Sequence, residues 1–315
     1  MLKGKLFKIN TLLPIILGLF LVYYSFKDTS VEERNIILES IINADFRFVI
    51  FSMLIGLFSN LVRAVRWQIL IKPLGFNLKL TNSIMSIFAG LLSNFGIPRS
   101  GEFLRASLIH YYQKIPFEKN FGTIVVERII DILLLTVLIF FGISSFAFLK
   151  IEQGFEVLNT FIYIIVFFCF SIFIIQRFKN NFNQRLQIFL SNLREGIFSI
   201  FKIEKKLIFI AHTTTIWICY FLMLYVAKFS LNETFFLPIE SIFIAFIAGA
   251  ISMALTNGGL GAYPLAISSV ITQYGVSYEN AITFGWVVWT SQTLVVVIFG
   301  CLSFIFLPIL NKKKL

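Results

Sequence analysis

Cysteine, histidine and charge are scarce in this 315-residue chain. Three cysteines, Cys169, Cys219 and Cys301, all lie in apolar stretches without paired spacing, which argues against disulfides and thiolate metal sites. Two histidines, His110 and His212, stand far apart, and a zinc site needs more ligands than they offer. No Walker loop, dinucleotide fingerprint, nucleophile elbow or HExxH occurs, so no cofactor is expected. Charged residues make up only 14% of the chain, whereas 58% are hydrophobic and 39 are phenylalanine. Mean hydropathy is +0.87, more apolar than a soluble domain needs, so the chain reads as an all-α polytopic membrane protein.

Six apolar stretches are expected to span: Ile9–Phe26, Phe46–Leu61, Ile124–Leu149, Val157–Ile175, Leu207–Phe229 and Ala281–Leu307. No small-x-small cleavage pattern follows the first, so it is read as a retained helix. Two further regions, Ser83–Tyr112 and Ser241–Tyr274, are each broken in the middle by Gly and Pro. Their arms reach only about 20–25 Å as helices, short of a ~30 Å hydrocarbon core. Re-entrant hairpins fit them better than pairs of full spans.

Charge sets the orientation. All but five of the 27 Lys and Arg (the exceptions are Lys27, Arg34, Arg47, Lys150 and Lys228) fall in segments that share one side with both termini. Ten of the 16 acids lie in the opposite loops. Basic loops remain in the cytoplasm, so the expected topology is N-in and C-in, and the net charge of +11 reports orientation rather than nucleic-acid binding. Residues 1–149 then read span, span, inside hairpin, span. Residues 150–315 read span, span, outside hairpin, span, the inverted repeat typical of transporters. Residues 177–206 carry Phe178, Phe182, Leu186, Phe189, Leu193, Ile197 and Phe201 at helical spacing beside basic residues, as expected of an amphipathic helix on anionic inner-leaflet lipids.

Polar residues in such a chain need a reason. In the first break, Asn94-Phe95-Gly96-Ile97-Pro98-Arg99-Ser100-Gly101-Glu102-Phe103-Leu104-Arg105, Gly96 and Pro98 end one helix and Ser100 is placed to cap the next. Its N-terminus, with Gly101, would favour phosphate beside Arg99, and Glu102 and Arg105 share a face on which they can pair. Glu127, Arg128 and Asp131 open a spanning helix; they serve either as an interfacial anchor or as a functional cluster. The second break, Asn257-Gly258-Gly259-Leu260-Gly261-Ala262-Tyr263-Pro264, exposes backbone amides to a ligand or simply bends. Gln292 either lines a cavity or bonds neighbouring helices. Arg63-Ala64-Val65-Arg66-Trp67 reads mainly as a cytoplasmic interface anchor.

Four motifs, Arg63-x-x-Arg66-Trp67, Pro98-Arg99-x-Gly101-Glu102-x-x-Arg105, Glu127-Arg128-x-x-Asp131 and Gly258-Gly259-Leu260-Gly261, occur in this order over most of the chain. The set resembles the flippase-like transmembrane domain of the lysylphosphatidylglycerol synthase family. The resemblance implies a lipid flippase of the bacterial inner membrane that moves a phospholipid head group, aminoacylated or not, between leaflets. Substrate-contacting residues would be Arg99, Ser100, Gly101, Glu102, Arg105, Glu127, Arg128, Asp131, Asn257, Gly258, Gly259, Gly261 and Gln292. Partners would be the phospholipid or another anionic lipid and a separate lipid synthase, because no aminoacyltransferase sequence appears up to Leu315. Many relatives carry Glu three residues after the last glycine of the turn, where this chain has Pro264. A carrier for polyprenyl phosphate or lipid-linked sugar is the same-class alternative; a non-transport membrane partner and a lipid-modifying enzyme are others. No enzyme activity is expected, since no metal set or activated nucleophile is visible.

Overall fold

A computed structural model describes residues 42–96, 100–146, 184–256 and 258–312, with isolated positions between 31 and 39. The bounded α-helices are α1 (Phe46–Ile71), α2 (Leu80–Gly96), α3 (Ser100–Gln113), α4 (Phe117–Phe146), α5 (Gln184–Phe198), α6 (Lys206–Ala227), α7 (Ile239–Leu255), α8 (Ala262–Ile271) and α9 (Tyr278–Leu310). No strand occurs among the described residues. The regular structure of the described residues is helical throughout. Among the described residues, three stretches, Phe46–Leu74, Lys206–Ser230 and Tyr278–Leu310, are long and apolar enough to cross a membrane, and Leu80–Phe95 and Ile239–Leu255 form shorter apolar helices. The expected spans at Ile9–Phe26 and Val157–Ile175 lie outside the described residues, and the expected Ile124–Leu149 span falls largely within α4.

Helix α1 shows how sequence and environment agree. Asp45 caps it, its carboxylate accepting from the Arg47 N–H at 3.0 Å, and Gly75 stops the chain beyond it in a left-handed conformation, φ 83°. Its exposed side chains include Ile50, Leu54, Phe58 and Leu61. Its buried face carries Ser52, Gly56, Ser59, Arg63 and Arg66, spaced three and four apart. This polarity is inverted relative to a helix on a water-soluble core, and it suits a helix with lipid outside and polar partners inside.

Helix α6 lies antiparallel to α1. Ser52 donates to the Met223 carbonyl at 2.8 Å, Arg63 meets Tyr220, and Arg66 donates to Thr213 at 3.3 Å. A larger apolar core joins α4, α6, α7, α8 and α9 around Ile139, Leu224, Ala245, Ile267 and Phe284.

Two helical hairpins, α2–α3 and α7–α8, approach α9 from opposite ends. Asn82 at the start of α2 exchanges side-chain amide bonds with Asn311 at the end of α9, at 3.0 and 3.1 Å. Higher on the same pair, Gly300 of α9 lets Leu92 and Phe88 approach. The second hairpin returns through Gly275 into Ser277, which caps α9, and Pro264 rests on Gly285. The two tips meet. Gly258 packs on the Phe95 ring, and Trp289 stands edge-on to Phe95 at 6.2 Å while donating its indole N–H to the Gly258 carbonyl at 2.9 Å.

Helix α5 falls within the expected amphipathic segment and docks on the start of α4. Gly122 and Gly196 face each other where the helices cross, and Lys119 pairs with Glu195 at 2.8 Å. Leu186, Ile188, Phe189, Phe198 and Phe201 remain exposed.

Candidate functional site

Charge is concentrated where α1, α3, α4 and α6 converge. Arg66 is fully buried between two carboxylates, 3.6 Å from Glu127 and 3.4 Å from Asp131. Glu127, equally buried, takes a second guanidinium from Arg105 at 3.0 Å. Asp131 takes a second from Arg128 at 3.4 Å, and that arginine forms the most exposed edge of the network. The spacing follows from the helices. Glu127 and Asp131 are four apart on α4 and Arg63 and Arg66 three apart on α1, so each pair projects on one side.

Aromatic and hydroxyl groups hold the guanidinium groups. Arg105 lies over the Trp67 ring at 4.1 Å, and the Trp67 indole donates to Thr123 at 2.9 Å. Arg66 faces the Phe209 ring at 5.9 Å. Arg63 is bonded to the Tyr220 hydroxyl. Ion pairing does not satisfy all of this polarity. Both Glu127 oxygens, Glu102 Oε2, and nitrogens of Arg63, Arg66, Arg105 and Arg128 are buried without a well-aligned hydrogen bond. Among the described residues, four arginines (Arg63, Arg66, Arg105 and Arg128) stand with three carboxylates, Glu102, Glu127 and Asp131, one more positive than negative charge.

The network lies deep along its helices. Arg66 is about 12 Å from the end of the Phe46–Leu74 stretch, and Asp131 and Tyr220 are each about 21 Å from the starts of their helices, at 1.5 Å per residue.

The sequence-predicted residues divide into groups. Glu102, Arg105, Glu127, Arg128 and Asp131 belong to this region. The expected Glu102–Arg105 pair does not form: the Arg105 guanidinium turns to Glu127 on α4, which offers a fully buried carboxylate, and Glu102 Oε2 has no partner. Ser100 is the first residue of α3 and donates back to the Ser93 carbonyl at 3.1 Å rather than capping its own helix. The Gly101 N–H is taken by the Asn94 side chain at 2.7 Å, and a Cβ at Gly101 would strike Gly90 and Asn94, so this glycine serves close helix contact. Arg99 and Asn257 lie outside the described residues.

Gly258, Gly259 and Gly261 all adopt positive φ, 64° to 73°, which only glycine takes readily. Around the Gly258 turn lie Phe95, Leu260, Tyr263, Trp286 and Trp289, an aromatic and apolar setting. Gln292 donates to Ser52 at 3.2 Å and lies against Gly56, so it joins α9 to α1.

Arg63 and Arg66 require a correction. Read as interfacial anchors, they are buried members of the network. The helix does not stop at Leu61 but runs to Ile71, which carries both arginines inward against α4 and α6. The signal in the sequence was the polar file Ser52, Gly56, Ser59, Arg63, Arg66 at helical spacing.

Comparison with known proteins agrees with this architecture. A UPF0104 membrane protein of Methanocaldococcus jannaschii is 28% identical over 126 residues, 39% of this chain and 36% of the relative. A UPF0104 membrane protein of Pyrococcus horikoshii is 26% identical over 125 residues, 38% of this chain and 36% of the relative. The matched part thus spans little more than a third of either relative. No solved structure matches the chain. The sequence model of the lysylphosphatidylglycerol synthase TM region matches residues 11–300. With its apolar helices, its inward-facing charge and a match over nearly its whole length, this chain is an integral membrane protein of the lysylphosphatidylglycerol synthase transmembrane-region family.

Proposed function

We propose that the protein is a lipid transporter that carries a phosphate-bearing head group between the leaflets of the plasma membrane while the acyl chains stay in the bilayer. The observation that supports this reading is the network of Arg63, Arg66, Arg105 and Arg128 with Glu102, Glu127 and Asp131, buried at its centre and open at Arg128. Burying charge among apolar helices is costly, and hydrophobic packing would give equal or better stability. A network with one excess cation and many unaligned donors has a use if it receives an anion. Phosphate suits arginine, whose planar fork donates two bonds at once.

In this reading both termini are cytoplasmic and the two hairpins are re-entrant, one from each side. Residues 1–149 and 150–315 form inverted repeats, and α5 with its exposed phenylalanines rests on the inner leaflet. The junction of Phe95, Gly258 and Trp289 separates the two sides, and the charged network lies on the cytoplasmic side of it. The phospholipid head group is the leading substrate. A polyprenyl phosphate or lipid-linked sugar presents the same phosphate to the same arginines.

The test is reconstitution. Fluorescent phospholipid in proteoliposomes is expected to reach the opposite leaflet faster than in empty vesicles, and Arg105→Gln is expected to remove most of the gain. Equal rates with and without protein would sink the proposal. Competition by polyprenyl phosphate, with none by phosphatidylglycerol, would move the assignment to the carrier reading.

A further inference from the structure

Three of the four arginines in the network have a carboxylate. Arg66 has Glu127 and Asp131, Arg105 has Glu127, and Arg128 has Asp131. Arg63 forms no ion pair among the described residues. It is 92% buried, with 8% of its surface exposed, and its guanidinium meets only the Tyr220 hydroxyl, with its Cζ 5.8 Å from the ring centroid. Its Nε–H has no acceptor. A neutral phenol does not offset a buried cation, and Asp131, which Arg63 reaches only through space, is already paired with Arg66 and Arg128, so this position carries the least compensated charge of the network.

The neighbouring groups point the same way. When the phenol oxygen accepts from Arg63, its own proton is left to donate elsewhere. Ser59 lies one turn before Arg63 on the buried face of α1; it is fully buried, and its Oγ has no partner. The hydroxyls of Ser86, Thr283 and Thr290 also lack a partner, whereas Ser107, Thr136, Thr213 and Ser303 return theirs to a carbonyl of their own helix; of the four unpartnered hydroxyls, Ser59 is the one a single turn from Arg63. Arg63, Tyr220 and Ser59 therefore offer three donors, with no carboxylate in ion-pair contact with Arg63 among the described residues.

We infer that Arg63, Tyr220 and Ser59 form an anion subsite that takes the phosphate oxygens of an alkyl phosphate ester. The inference rests on the lipid-transport reading and assigns that site its anionic pole. A cationic amine at this position would meet the Arg63 guanidinium and is disfavoured there.

Thermal unfolding of the full-length protein in neutral detergent, titrated with dodecyl phosphate, tests this. Dodecyl phosphate is expected to raise Tm, and dodecyltrimethylammonium is not. Apparent affinity for dodecyl phosphate should be at least about tenfold weaker in Arg63→Gln and partly retained in Arg63→Lys. Tyr220→Phe and Ser59→Ala should each weaken it by a smaller factor. Arg47→Gln, at an exposed arginine, should match the parent. If Arg63→Gln does not fold, Arg63→Lys and Tyr220→Phe decide: parental affinity in both overturns the subsite. So does parental affinity in Arg63→Gln, or an equal response to the ammonium detergent. An inorganic phosphate response as strong as that to dodecyl phosphate would assign the subsite to free phosphate and overturn the ester. Transport measured on the same preparations separates the two claims. Lipid movement with unchanged binding in Arg63→Gln defeats the subsite alone. Arg63-dependent binding without lipid movement defeats the transport reading alone.

Discussion

Glu127 holds Arg66 on one side and Arg105 on the other, and all three side chains are withdrawn from solvent. Removing its charge strands two guanidinium groups at once. Glu127→Gln is therefore expected to cost about 3–5 kcal/mol, read as a lower thermal midpoint in detergent. The Lys119–Glu195 pair is partly exposed, so Glu195→Gln should cost no more than about 1 kcal/mol. Comparable losses in the two variants would show that the network is not electrostatically buried. The residues of this network were unequally legible. Arg105, Glu127, Arg128 and Asp131 stood out as charges amid apolar sequence. Arg63 and Arg66 did not, because hydropathy ends a span where charge begins, whereas a helix continues when another helix brings the counter-charge. Gln292 had two readings, and the bond to Ser52 selects the one between helices.

Gly and Pro breaks announced both hairpins, and the structure forms both as packed helix pairs. Less legible was how the tips meet, since no local pattern in Phe95, Gly258 or Trp289 says that residues this distant in sequence touch. In a variant without native cysteines, Phe95→Cys with Gly258→Cys should cross-link in native membranes with a short thiol reagent. Phe95→Cys with Gly75→Cys, a turn at the far end of the α2 approach, should not. Failure of the first pair under conditions where single cysteines react would separate the tips. Helix α5 gives a second test. A side chain at Gly122 would meet Gly196 Cα and Ile197 N at 2.9 Å, so Gly122→Val should lift α5 from α4. Trypsin cleavage at Arg194 and Lys202 is then expected to accelerate several-fold in inside-out vesicles, and unchanged cleavage would place the contact elsewhere.

At the scale of the molecule, the long helices put apolar side chains outside and gather charge within. Composition alone made the membrane class legible, though not the inward charge, and the positive-charge count gives an expected orientation with both termini inside. That orientation predicts that a cysteine introduced at Lys312 reacts with an impermeant thiol reagent in inside-out vesicles and not in intact cells. The reverse labelling would invert the whole topology, including which hairpin faces the cytoplasm. Pro264 also becomes intelligible only at this scale. In sequence it was a departure from relatives, whereas in the assembled protein it lies in the first turn of α8, where proline is tolerated, pressed on Gly285 of α9.

The inverted polarity of α1 bears on how the protein is made. The ribosome releases Arg63 and Arg66 before it has synthesised Glu127, whose codon lies 61 positions after that of Arg66. At about 5–20 residues per second the delay is roughly 3–12 s. Over that interval α1 carries two arginines that lipid would penalise by about 2.5–3.5 kcal/mol each. The C-terminal half of α1 must therefore wait at the insertion channel or at the water interface until α4 arrives. Its final depth is then expected to be set by assembly rather than by its own hydrophobicity. A truncated chain ending before Glu127 should hold α1 shallower than the full protein does, which would make the ion-pair network a partner in the insertion of the helix that carries half of it.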